Sequence, residues 1–418
     1  MKSVAFPAKI VILSIPFIAY LAVLLQYILD IPVWDDYVNP LDITNQAIAA
    51  TALTDKLAIL ATPMNGHTPF LPRALLYVQY LAGVTTPIHT ALVISNLGWM
   101  AVTLLVMVYC YRSLQMELAL LIPLPYLLLS LIHWEAMDFY SSAFQMYWGS
   151  GLLIVAGLML LVSGWTITAS LFFLGGLFAS GGALAAYPVS LLFLLGTRRW
   201  KALLVFIGCS VPALWLYAHI NVEAQAVREL PQWQPLLAYV FEFTGNLTSN
   251  GQWDLSSHAR YHQLLGALMT GLAAFLAWRV PGHYVFKLLF AYVVLMGAMA
   301  GYMRMDVYSH AVSRYSMYAL LAAVSLYILL LAWLGTLPQG TAARKILPLL
   351  ITVASVALWV HSLLLCQEPL QQNRDSRSAH MQSYIQTGDP AVLDSWNAAH
   401  AQKVLDDSRQ SGLYDYKK

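Results

Sequence analysis

An all-helical protein that threads a lipid bilayer many times is the fold class predicted by three observations on the sequence. Of 418 residues, 59% are hydrophobic and only 10% charged, whereas a soluble domain carries roughly 25% charged residues. The apolar residues gather in runs of about 20, the length that spans the hydrocarbon of a bilayer. Lysine and arginine collect on alternate connections between those runs, as cytoplasmic loops do.

The spacing of the runs predicts about eleven transmembrane helices, near 9–29, 88–110, 118–133, 145–164, 167–181, 184–197, 201–220, 261–279, 284–303, 315–336 and 346–366. The fifth and sixth form one apolar stretch interrupted by Ser180-Gly181-Gly182, which reads as two short spans or one broken helix. The first run is longer than a signal-peptide core and no small-x-small cleavage site precedes Trp34, so it reads as an uncleaved span. With the N-terminus cytoplasmic, the inner loops hold Lys2, Lys9, Arg112, Arg198, Arg199, Lys201, Arg279, Lys287, Arg344 and Lys345. The short outer loops then hold Asp35, Asp36, Glu135, Asp138, Asp254 and Asp306, and the C-terminus lies outside.

Residues 1–366 therefore form a membrane domain with two long outer loops, 30–87 and 221–260, followed by a polar, partly helical outer tail, 367–418. In the first loop, Ile43–Leu60 and Phe70–Leu81 are apolar on one face and are expected to lie as surface helices; a similar stretch, Leu236–Phe243, occupies the second. A net charge of +2 is too small to point to nucleic acid. Cys110, Cys209 and Cys366 are scattered through apolar sequence and suggest neither a disulfide framework nor a metal cluster.

The polar chemistry gathers on the outer side. Asp35 and Asp36 follow the first span directly, where a carboxylate can take a proton from an acceptor hydroxyl and an adjacent acid raises its pKa. Two hydrated acids at a membrane exit are the plainer reading. In Asn65-Gly-His-Thr-Pro-Phe-Leu-Pro-Arg73, His67 is a candidate substrate contact and Arg73 a planar donor for phosphate oxygens, or equally an interfacial anchor. Glu135 and Gln145 bracket a short outer loop at a depth where ionisable groups face cavities. Arg304, Arg314 and Tyr315 flank the outer loop before the tenth span, and Arg260 opens the eighth. Each of these arginines calls for an anionic partner, either a phosphate or one of the acids. No Walker loop, CxxC, HExxH or Gly-x-Ser-x-Gly element is present.

In their order, these elements resemble the GT-C superfamily of polytopic glycosyltransferases, in particular an uncharacterised bacterial branch. The resemblance rests on five elements: the acids after the first span; His67 to Arg73; Trp134-Glu135 with Phe144-Gln145; the small-residue stretch Ser180 to Tyr187-Pro188; and Ser313-Arg314-Tyr315. It implies a bacterial inner-membrane enzyme that moves a sugar from a polyprenyl-phosphate donor to a glycan, lipid or protein acceptor at the periplasmic face. On that reading Asp35 or Asp36 is the base, Arg314, Arg73, Arg304 and Arg260 are donor-phosphate ligands, and His67, Glu135, Gln145 and Tyr315 contact substrate. No cofactor is expected, since two adjacent aspartates supply too few oxygens for a dedicated divalent metal. The competing reading is a flippase for the same lipid-linked saccharide, which calls for charged or broken-helix sites at mid-membrane.

Overall fold

The computed structural model describes residues 6–221, 232–248, 256–304 and 310–417. Every regular element among them is helical, apart from one antiparallel bridge between Met64 and His67. Eight stretches are long and apolar enough to cross a membrane: Phe6–Tyr27, Pro87–Ser113, Leu118–Met137, Tyr140–Val162, Trp200–Ile220, Tyr284–Met303, Ser313–Thr336 and Ala343–Thr387. Two shorter apolar helices, Thr166–Leu177 and Gly181–Gly196, occupy the stretch that Ser180 interrupts. A further helix, Ala259–Arg279, is as long as a span but carries Arg260, His262 and Gln263 in its first turns. The outward faces are apolar, with Leu192, Leu204, Leu264, Val353 and Leu364 exposed, as expected of surfaces that meet lipid.

Three features depart from the expected layout. First, the short outer loop expected between the third and fourth spans belongs to a longer buried stretch of broken helices: residues 123–144 are buried throughout. They run as broken helices α6 (Leu118–Leu121), α7 (Pro123–Leu128), α8 (Trp134–Met137) and α9 (Tyr140–Ala143), leading into a π-helical stretch, Phe144–Leu153. Pro123 opens α7 and Pro125 sits in its first turn, where a fixed φ and a missing N–H are tolerated.

Second, α14 (Trp233–Gly245) is not a surface helix but packs against α15 (Ala259–Arg279) and α16 (Tyr284–Arg304). Glycines permit the approach: a Cβ on Gly266 would fall 1.8 Å from the Phe241 carbonyl oxygen, and one on Gly245 2.1 Å from that of His262.

Third, the helix of the last expected span, α18 (Ala343–Thr387), does not end near Cys366. Its 45 residues rise about 68 Å at 1.5 Å per residue, more than twice the hydrocarbon thickness. Gly388 closes it in the left-handed conformation (φ 70°), and Asn397 caps α19 (Ala398–Ser411) by accepting from the His400 N–H at 3.1 Å.

In the first loop, the expected helix over 43–60 breaks at Ala50–Ala52 into α2 (Ile43–Ala49) and α3 (Leu53–Leu60). The helix over 70–81 forms as expected and is α4 (Phe70–Leu81). A π-helical turn, Tyr37–Asp42, precedes α2, and α19 packs on both. The tail and the first loop therefore lie together beyond the same ends of the membrane helices.

Candidate functional site

Asp35 and Asp36 form the first turn of the helical segment that continues through the Tyr37–Asp42 π-turn. Asp36 is 1% exposed, and its Oδ1 accepts from the Ser141 N–H at 2.9 Å and the Ser141 hydroxyl at 2.7 Å. Its Oδ2 faces the Val33 N–H at 3.4 Å. Burial raises the Asp36 carboxyl to about 6 against these hydrogen bonds, and the neighbouring Asp35 charge pushes the same way. Asp35 is only half-buried and is the member of the pair nearer solvent. The residue before it, Trp34, has φ 44°, a left-handed conformation that is strained for any residue with a side chain.

Ser141 belongs to α9, and the buried segment 133–147 connects most of the other candidates. Glu135 is buried in α8 and forms an ion pair with the Nη1 of Arg314. It also accepts from the Ser313 hydroxyl at 2.8 Å and faces the Arg314 N–H at 3.4 Å. Arg314 keeps 15% of its side chain exposed and lies over the Tyr315 ring at 5.6 Å. Tyr315 itself is buried against Phe243. Asp138, between α8 and α9, pairs with Arg377 at 3.1 Å. Burial holds its carboxyl above the ordinary aspartate value despite that arginine. The Asp138 Oδ1 and the Trp134 Nε1, four residues apart, are buried without a hydrogen-bond partner. Gln145 lies half-buried one turn beyond Ser141, inside the π-helical stretch. Stretches of this rare geometry concentrate at functional sites, and here one follows the acid pair and one contains Gln145.

Arg73 is placed differently from the expectation of a headgroup-level phosphate ligand. It is 1% exposed, with Nε donating to Asn39 Oδ1 at 2.7 Å and Nη1 donating to the carbonyls of Leu60 at 3.0 Å and Thr62 at 2.5 Å. Burial lowers its pKa to about 10, which still leaves it charged at neutral pH. Its work is to tie α3, α4 and the π-turn together. His67 is half-buried against the Ser180–Gly182 break: a Cβ on Gly181 would lie 3.1 Å from the His67 Cβ. The Tyr140 hydroxyl donates to the Pro72 carbonyl at 2.5 Å, so this loop also touches α9. Arg260 is exposed at the start of α15. Arg304 ends α16, and its side chain, like Asp254 and Asp306, lies outside the described residues.

Three residues that hold the site together, Glu242, Asn246 and Arg377, escaped the sequence reading. Glu242, buried in α14, accepts from the Ala311 N–H at 2.8 Å and pairs with His310 Nδ1 at 3.2 Å, while Asn246 Nδ2 donates to the Val312 carbonyl at 3.2 Å. Together they set the strap that ends in Ser313-Arg314. A lone acid inside the apolar run Leu236–Phe243 was the available signal. Arg377 had none, because only the tertiary fold brings residue 377 to residue 138. Among the described residues no group of three or more His, Cys, Asp or Glu side chains is arranged to hold a metal ion. An apolar groove of about 720 Å³ runs between α12 (Ala186–Gly196), α14, α15 and α16, from Trp233 and Val240 to Lys287. None of the candidate site residues lines it.

The raised Asp36 carboxyl predicts a pH effect on stability. A carboxyl that binds its proton more tightly folded than unfolded favours the fold most below its ordinary value, here 3.8. The advantage fades as pH rises through the folded value near 6. Going from pH 7 to pH 4, this group alone adds about 2 kcal/mol. Asp30, also raised to about 6 by burial against the hydrogen bonds from His89 and Ile88, adds in the same sense. Asp36→Asn is expected to remove its own share, so that the gap in thermal midpoint between pH 7 and pH 4.5 differs between variant and wild type. Equal gaps would show that Asp36 is not held protonated by burial.

No protein family, curated protein or solved structure was found to match the chain.

Proposed function

We propose that the protein is a glycosyltransferase that moves a sugar from a polyprenyl-phosphate donor to an acceptor at the outer face of a bacterial inner membrane. The observation that carries this reading is the gathering of the acid pair, Glu135 and Arg314 around one buried segment, 133–147, at the end of a set of membrane-length helices. A carboxylate to accept a proton and an arginine to meet a phosphate are the two groups that such a transfer needs. Asp35, the more exposed acid, takes the proton from the acceptor hydroxyl as its oxygen bonds to the anomeric carbon. The bond from that carbon to the phosphate oxygen breaks, and the electron pair leaves with the polyprenyl phosphate. Arg314, oriented by Glu135 and partly exposed, is the cation that meets the charge developing on that phosphate. Asp36 anchors the turn through Ser141. Arg73 has no part in this scheme because its donors are used inside the protein.

The test is reconstitution in lipid vesicles with an isotopically labelled undecaprenyl-phosphate hexose and a cell-envelope fraction as acceptor source. Loss of label from the lipid, with appearance of free undecaprenyl phosphate, is the expected result. Passage of intact donor between leaflets without cleavage would overturn the reading in favour of a flippase.

A further inference from the structure

We infer that the C-terminal tail is a working part of the acid site: Arg377 and the turn at Asp394 set the conformation of Trp34 and thereby the placement of Asp35 and Asp36. Where it bears on catalysis, this rests on the transfer reaction proposed above; the placement itself does not.

The tail contacts the acid-bearing segment along its length. The Trp34 N–H donates to the Asp394 carbonyl at 2.7 Å, which holds the left-handed residue directly preceding the acids. Arg377 reaches both halves of the site. Its Nη1 donates to the Asp138 carbonyl at 2.9 Å and pairs with the Asp138 carboxylate at 3.1 Å, while its guanidinium lies 5.9 Å over the Trp34 ring. Trp34 packs edge-on against Phe139, beside Asp138. On either side of the acids the clasp continues. The Tyr414 hydroxyl donates to the Asp30 carbonyl at 2.5 Å, and Asn45 exchanges hydrogen bonds with Ser408 at 2.6 Å and Ser411 at 3.0 Å. His400 pairs with Asp42 at 3.4 Å, and His380 fixes Asp394 at 3.0 Å.

Such contacts are poorly explained by a tail that serves membrane packing. The tail is polar, and it stands beyond the membrane-crossing part of α18. Arg377 is a cation inserted between the tryptophan that starts the acid turn and an acid of α8–α9 that neighbours Glu135. Besides Arg377, the charged and titratable groups around this junction are Asp35, Asp36, Tyr37, Glu135, Asp138, Tyr140, His380, Tyr384 and Asp394. Arg377 is the cation that reaches Tyr37 and Asp138 among them. Arg377 is thus a positioning residue and touches no substrate.

The experiment reads the Asp36 carboxyl directly, in the full-length protein held in lipid nanodiscs with carbon-13 aspartate. Infrared difference spectra across pH, with Asp36→Asn as the reference, isolate its titration. In the wild type it is expected near pH 6. In Arg377→Gln the loosened turn admits water, and the midpoint is expected to fall by at least one pH unit; Arg377→Lys, which keeps the cation, should return it most of the way. A protease site inserted after Gly388 and cut after folding gives the same comparison should Arg377→Gln fail to fold. An unchanged Asp36 titration after the cut, or in Arg377→Gln, overturns the inference and makes the tail a mere cover. A shifted titration in a protein that never cleaves the undecaprenyl-phosphate hexose leaves the inference standing and removes the transfer reading instead.

Discussion

Asp35→Asn is expected to lower sugar transfer by about 100- to 10,000-fold, the usual loss when a general base is removed, while the protein stays folded and membrane-bound. The amide keeps the size of the side chain and its place in the first helical turn, but it cannot accept the proton. Asp36→Asn is expected to fall less. Its Oδ1 position can still accept from Ser141, and what is lost is the negative charge that keeps Asp35 a good base. The ordering is a consequence of exposure: Asp36 is sealed under Ser141 and Val33, and Asp35 is not. The measurement is the rate of release of undecaprenyl phosphate from the labelled donor, with the helical circular dichroism of each variant as the folding control. A greater loss in Asp36→Asn than in Asp35→Asn would reverse the assignment within the pair. Wild-type rates in both would remove the acids from the chemistry.

The sequence made the membrane class and most helices legible because hydropathy reports directly on where a chain avoids water. It also located the break at Ser180, since serine followed by two glycines cannot hold a strong helix, and it placed α4 correctly. It read residues 134–144 as a short outer loop and did not show that they fold as buried, broken helices, for a related reason. Hydropathy registers that Glu135, Asp138 and Ser141 are polar, but not that Arg314, Arg377 and Asp36 arrive from elsewhere to satisfy them. A polar segment buried among polar partners looks like a loop until its partners are known. The same blindness explains Arg73. An arginine waiting for a phosphate and one satisfied by the carbonyls of Leu60 and Thr62 have identical sequence neighbours. The last expected span ends where apolarity stops, near Cys366, and hydropathy gives no sign that the helix itself runs on to Thr387. The chain beyond Cys366, rich in glutamine and serine, remains helical to Thr387, and the tail that follows folds back on the first loop.

The Glu135–Arg314 pair carries the largest expected stability effect. Glu135→Gln keeps an acceptor for the Ser313 hydroxyl but removes the carboxylate charge that pairs with the guanidinium. Removing one member of a buried pair commonly costs about 3–5 kcal/mol, and the 15% exposure of Arg314 places the expected loss near the lower end. Its measure is the fall in thermal midpoint in lipid nanodiscs. Replacing both partners with apolar residues, as in Glu135→Leu with Arg314→Met, leaves no uncompensated charge and is expected to recover most of that stability. Transfer is expected to stay absent in the double variant, because the group that meets the phosphate is gone. Arg314→Lys separates the two roles. The ammonium still balances Glu135, so the midpoint should stay close to wild type, whereas loss of the planar fork is expected to slow transfer by about 100- to 1,000-fold, as when one electrostatic donor to a transition state is removed. If Arg314→Lys transfers sugar at the wild-type rate while Glu135→Gln unfolds, the pair is a structural rivet and the phosphate must be met by another cation.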